Sequence, residues 1–231
     1  GGFGTSTSAI VAGGYISTNS NAVESWDGTS WTEVAECTAK DNMGECGVSG
    51  VLGQIFGGSP FVAVTQQWNG TSWTEVADLS TARDQLGGTG NSTITALAFG
   101  GRTPGGAVAN TEEWTVPETK SNLTGSWATG GALNTAKQQM AGAGTTKTAA
   151  LAIGGAPNRT TNESYNGSAW TELGDINTGR SLMIGAGSST AAITAGGYIS
   201  PNNQDLTETW NGSAWTEVNE LNTATRGASG F

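Results

Sequence analysis

Two hydrophobic patterns alternate along this chain. One is a run of small apolar residues closed by a glycine pair, as in "TALAFGG" (95–101) and "AALAIGG" (149–155). Apolar residues at successive positions predict a short strand buried on both faces. The other is an aromatic, a turn and a second aromatic, as in "WNGTSWTEV" (68–76), nearly copied at 26–34, 165–173 and 210–218. Asn-Gly between two such segments predicts a hairpin with a two-residue type I′ turn, which needs positive φ at both central residues.

The glycine pairs open at Gly13, Gly57, Gly100, Gly154 and Gly196, in steps of 44, 43, 54 and 42 residues. The second aromatics, Trp31, Trp73, Trp127, Trp170 and Trp215, step by 42, 54, 43 and 45. Two unrelated markers thus agree on five repeats, near 1–43, 44–86, 87–140, 141–183 and 184–231, the third with an insertion over 115–125. Each reads as four short strands, and that unit at this period predicts an all-β chain. The expected fold is a single domain, a five-bladed β-propeller of four-stranded antiparallel blades. Ser229, Gly230 and Phe231 share the repeat phase of Gly1, Gly2 and Phe3. The C-terminal strand is therefore expected to join the N-terminal blade and close the ring. Glycines such as Gly87, Gly88, Gly142 and Gly185 in the first strands are expected to let backbones crowd the axis.

Small-apolar strands ending in Gly-Gly, then an aromatic, a tryptophan, and Lys or Arg opening the next unit, resemble kelch repeats over essentially the whole chain. The sequence departs from that family in having mostly tryptophan before the turn and in a shorter turn. The closely copied style of "NGTSWTEVADL" also resembles repeat-rich proteins of marine bacteriophages. In kelch proteins, basic residues at this phase often rim the channel mouth. The resemblance therefore implies a cationic ring of Lys40, Arg83, Lys137, Arg180 and Arg226 facing a ligand. The plainer reading of the same residues is a local ion pair within or between blades.

With Asn69-Gly70 as a two-residue loop, Trp68 faces Thr71 and Gln66 faces Trp73. One face then carries Gln66, Trp68, Trp73 and Glu75. Glu24, Glu163 and Glu208 are likewise expected opposite Trp31, Trp170 and Trp215. The ten aromatics Trp26, Trp31, Trp68, Trp73, Trp114, Trp127, Tyr165, Trp170, Trp210 and Trp215 then form pairs bracketed by carboxylates. Such pairs suit the seams between blades. The competing reading is a sugar-stacking surface, as in five-bladed lectins of the tachylectin type, and exposure separates the two.

Composition narrows the chemistry. The net charge of −10 argues against a nucleic-acid partner. No run is long enough for a membrane span. The chain contains no histidine, which removes the usual general base and commonest metal ligand. Cys37 and Cys46, roughly 30 Å apart along a strand, are too distant for a disulfide. "SWDGTSW" (25–31) resembles a sialidase Asp-box but is one residue short, and the repeated acids sit on outer strands. Catalytic residues, metals and cofactors are all expected to be none. The expected function is a non-enzymatic binding or structural module, virion- or tail-associated or extracellular, with a protein partner or host surface. A carbohydrate-binding lectin is the alternative, and a glycosidase-like enzyme the third reading.

Overall fold

A computed structural model describes residues 1–91, 93–116 and 125–227 of the chain. Blade I comprises β1 (Gly2–Thr5), β2 (Ser8–Tyr15), β3 (Asn19–Trp26) and β4 (Trp31–Glu33). Blade II holds β5 (Gly44–Ser49), β6 (Leu52–Phe56), β7 (Thr65–Trp68) and β8 (Trp73–Val76). In blade III, β9 (Gly87–Thr89) and β10 (Thr95–Phe99) are followed by a small hairpin, β11 (Arg102–Thr103) and β12 (Gly106–Ala107), then β13 (Thr111–Thr115) and β14 (Ser126–Thr129). Blade IV is β15 (Ala141–Thr146), β16 (Ala149–Ile153), β17 (Asn162–Tyr165) and β18 (Trp170–Glu172). Blade V runs β19 (Ile184–Gly187), β20 (Ala192–Ala195), the hairpin β21 (Tyr198–Ile199) and β22 (Asn202–Asn203), β23 (Thr207–Trp210) and β24 (Trp215–Glu217).

Every blade is a four-stranded antiparallel sheet, and no helix occurs among the described residues. The chain is the five-bladed β-propeller that its period predicts. The inner strand of blade I is β1, drawn from the first residues of the chain. Ser229, Gly230 and Phe231, expected to join it, lie outside the described residues. So do residues 117–124 of the insertion.

The inner strands β1, β5, β9, β15 and β19 surround a central channel of about 970 Å³. Backbone is packed on backbone there. A Cβ on Gly142 would lie 2.8 Å from the Gly88 carbonyl oxygen, and one on Gly185 would lie 2.4 Å from that of Gly142. At one mouth, a residue from each of four blade junctions adopts the left-handed region: Asn42, Gln85, Gln139 and Leu182, with φ of 50, 54, 56 and 54°. This strained choice is held by hydrogen bonds that run around the rim. The Gln85, Gln139, Leu182 and Gly227 N–H groups donate to the carbonyls of Asn42, Gln85, Gln139 and Leu182, at 2.8, 3.0, 2.9 and 2.8 Å.

The outer hairpin departs from the expected two-residue turn. Trp68 pairs with Trp73 and Gln66 with Glu75, so Asn69, Gly70, Thr71 and Ser72 all belong to the loop. The cause is the Asn69 side chain, whose Oδ1 accepts the Thr71 and Ser72 N–H groups at 2.9 Å each. With the turn closed this way, only Gly70 needs positive φ, at 91°. Asp27, Asn166 and Asn211 build the same loop. The shift moves each residue's partner by two positions, so Trp68 and Trp73 still share a face. It also corrects the carboxylate positions: Glu24, Glu163 and Glu208 oppose Glu33, Glu172 and Glu217, not the tryptophans.

Because the axis is packed backbone to backbone, Gly185→Ala is expected to destabilise the protein by about 1–3 kcal/mol through overpacking. Thermal unfolding measures this. An unchanged melting temperature would mean that the inner strands separate easily.

Candidate functional site

The seams explain the two side-chain sets that the sequence singles out. Each blade presents a face of small residues and paired aromatics to the preceding blade. Phe56 and Leu86 of the second repeat pack with Ala96, Ala98, Trp114 and Trp127 of blade III. Leu97 and Phe99 meet Ala150, Ala152, Tyr165 and Trp170 of blade IV, and Leu151 and Ile153 meet Trp210 and Trp215 of blade V. Phe3 and Ile10 meet Trp68, with Trp73 edge-on to Phe3. Within the pairs, ring centroids are 5.0–5.5 Å apart in a tilted arrangement. Such pairs contribute roughly 0.5–1.5 kcal/mol beyond area burial.

The two indoles of a pair do different jobs. The first anchors its own blade: Trp26, Trp68, Trp114 and Trp210 donate Nε1–H to the Ser6, Gly50, Thr93 and Ser189 carbonyls. The second reaches the neighbouring blade. Trp73 donates to the Ala35 carbonyl, Trp127 to Thr65 Oγ1 and Trp170 to Thr111 Oγ1.

The proposed cationic rim is not where the family resemblance puts it. Lys40, Arg83, Lys137 and Arg180 are all at most 1% exposed. Three form ion pairs across a seam with the next blade: Arg83 with Glu112, Lys137 with Glu163 and Arg180 with Glu208. The second oxygen of each carboxylate accepts a loop N–H, from Ser80, Asn134 and Asn177 respectively, at 2.7 Å each. A buried charge needs such pairing, so these side chains point into the seams and cannot meet a ligand. Arg226 alone of the five is exposed, with its guanidinium 4.2 Å from the Tyr198 ring centroid. The signal for this arrangement was in the sequence: a cation at the end of one repeat is matched by an acid in the next.

Blade II breaks the rule. Gln66 stands in the glutamate position and accepts the Thr38 N–H, while Lys40 Nζ donates to the Val64 carbonyl at 3.0 Å. With no carboxylate bonded to it, burial pulls the Lys40 pKa down to about 8, partly offset by the charges of Cys37, Asp78 and Glu75.

Glycine and backbone dominate the channel wall, as the first strands predict; what sequence reasoning missed is its acids, Asp41 at the end of the first repeat and Glu45 at the start of the second. Burial raises the Glu45 pKa, partly offset by the chain's amino terminus and the Gly2 backbone hydrogen bond. Asp41 Oδ2 accepts a hydrogen bond from Asn42 Nδ2. Neither cysteine forms a disulfide, and the two are buried in separate cores. Burial pushes the Cys46 thiol up to about 12. Among the described residues, no helix is long and apolar enough to cross a membrane.

Two predictions test the seam chemistry. Glu112→Ala leaves Arg83 buried without a partner and is expected to cost about 3–5 kcal/mol in denaturant unfolding. Lys40 gives a pH signature. Its folded pKa lies below the ordinary 10.5, so between pH 8 and 10.5 the unfolded chain binds more protons and stability rises with pH. The rise attributable to this residue is on the order of a few kcal/mol and is absent below pH 8. Subtracting the unfolding curve of Lys40→Met isolates it. Gln66→Glu supplies the missing carboxylate and is expected to flatten the same rise.

No family model matches the sequence, and no curated protein matches it. A solved structure described as "Structure of YjhT" superposes with a TM-score of 0.75 at 12% identity. The match covers 99% of this chain and 86% of that one. At that identity, the likeness is one of fold alone.

Proposed function

We propose that this chain is a non-enzymatic binding or structural module of a virion or its tail, engaging a protein partner or a host surface. The observation that carries the reading is the fate of the repeated charged groups. Three of the recurring cations and the glutamates opposite them are consumed in buried seam contacts. Side chains free to meet a partner lie at the channel mouth and on the outer hairpins, where Glu33, Glu75, Glu172 and Glu217 are exposed. The copied, kelch-like repeat style, resembling that of marine phage proteins, supports the virion setting.

The channel acids favour binding over hydrolysis. Glycosidases flank the scissile bond with two carboxyl groups about 5–9.5 Å apart. Asp41 and Glu45, the acids of the channel lining, lie four residues apart in the chain, on either side of the boundary between the first and second repeats. Propellers carry many chemistries, so the fold itself favours none of them.

A lectin is the second reading, and one observation favours it. Trp68, Trp114, Tyr165 and Trp210 are buried, but Trp31 is 47% exposed and pairs with a half-buried Trp26. A tilted indole pair open to solvent has the form of a sugar platform.

Immunogold labelling of purified virions with an antibody to this chain is the direct test, with label on the particle expected. Virions free of the chain by labelling and mass spectrometry would overturn the virion reading. A glycan array on the wild type and Trp31→Ala decides the alternative: binding that falls more than tenfold in the variant selects the lectin.

A further inference from the structure

Four of the five blade junctions are packed shut, three of them with a buried cation–glutamate pair, and the junction between blades V and I is not. Among the described residues, β1 packs on β5, β5 on β9, β9 on β15 and β15 on β19, but β19 does not pack on β1 in the same way. On the blade I side, Val11, Trp31 and Glu24 are exposed, and Val11, Trp26 and Trp31 line a recess of about 460 Å³. Their counterparts Ile55, Trp73 and Gln66 in blade II are sealed or half-buried against blade I.

The blade V side is unmet in complementary fashion. Ile193 holds the place of Leu97 and Leu151, which are fully buried at their seams, yet Ile193 is 41% exposed. Thr207 holds the place of Thr65 and Thr111, whose hydroxyls accept the indole N–H of the next blade. Thr207 Oγ1 is buried without a hydrogen-bond partner, as are Asn162 Oδ1 and Trp215 Nε1 at the closed seam between blades IV and V, so it supports the open junction only together with the exposure of Ile193. Such an orphan costs roughly 1–3 kcal/mol unless satisfied. The preceding cation is also missing, because Thr225 stands where Arg83, Lys137 and Arg180 stand.

We infer that this junction is a docking site for a sixth four-stranded β-blade with the chemistry of the same repeat. Towards blade I, the occupant presents two aliphatic or aromatic side chains to Trp26 and Trp31, and a Lys or Arg to Glu24. Towards blade V, it presents a tryptophan whose indole N–H reaches Thr207 Oγ1. Both halves of the demand are met by one repeat and by the contacts of the four closed seams. In repeat architectures each unit touches only its neighbours, so an added unit needs no new kind of contact. A filled junction also buries Trp31, which removes it as a sugar platform.

The test extends the protein with a duplicate of residues 141–183, placed in register after the fifth repeat or, in a second variant, ahead of Gly1. The expected result is a monomer with a higher melting temperature, a single unfolding transition and a smaller acrylamide-quenchable tryptophan signal from Trp31, read by difference against Trp31→Phe. In the extended protein Glu24→Ala lowers the melting temperature by several degrees, whereas in the parent chain it has no effect. If both variants leave Trp31 open, or unfold in two separate transitions, the inference fails. It also fails if the parent forms concentration-dependent dimers that protect Trp31, because the occupant is then a second copy. Glycan protection of Trp31 in the extended protein overturns it as well.

Discussion

Three of the four closed seams turn on a carboxylate that satisfies two groups of the preceding blade at once. Glu112, Glu163 and Glu208 each hold a buried cation with one oxygen and a loop N–H with the other. A blade buried on both faces cannot stand alone in water, because each face needs an apolar neighbour. Hydrophobic burial brings two blades together but leaves their relative tilt loosely set. The charged bridge and the crossing indole N–H are directional, and each closed seam has at least one of them to fix its geometry. The blade angle, and with it the channel, follows from that repeated choice.

The channel is the second consequence. Inner strands meet where their glycines let one backbone lie against the next, leaving few side chains to point inward. The wall is therefore made mainly of peptide groups, with variation confined to occasional residues such as Glu45 and Thr89. Chemistry that depends on converging side chains has little to stand on there, whereas the outer turns and the mouth are free to diverge.

Much of this was legible in the chain. Two markers with one period are enough for the blade count, because a propeller unit needs the same strands in the same order each time. The shared face of Trp68 and Trp73 was also legible, because the real loop and the expected one differ by two residues and parity is preserved. The turn was misjudged because Asn69 acts through its side chain, while positive φ at Asn-Gly is a backbone rule. The cations were misplaced for a different reason. Lys137 and Arg180 look like surface residues locally, and their burial is decided by a carboxylate more than twenty-five residues later. Trp31 and Trp73 illustrate the same limit: their local sequences are nearly identical, yet one is open and the other half-buried, because a neighbouring blade sets exposure.

The left-handed residues at the channel mouth have a consequence for electrostatics. Successive N–H groups near such residues often form a concave cradle for anions. Here the amides of Gln85, Gln139, Leu182 and Gly227 are turned along the rim and already bonded to carbonyls. The opening therefore offers no ready amide cradle, and the protein carries ten net negative charges behind it. A phosphate or sulfate approaching this mouth finds a single exposed guanidinium among the described lining side chains, that of Arg226, set against this net negative charge. Hydroxyl and ammonium groups meet side-chain amides and carboxylates that can accept their protons in hydrogen bonds. The mouth is thus biased in the sign of what it admits, and the bias is set by the direction of four peptide bonds.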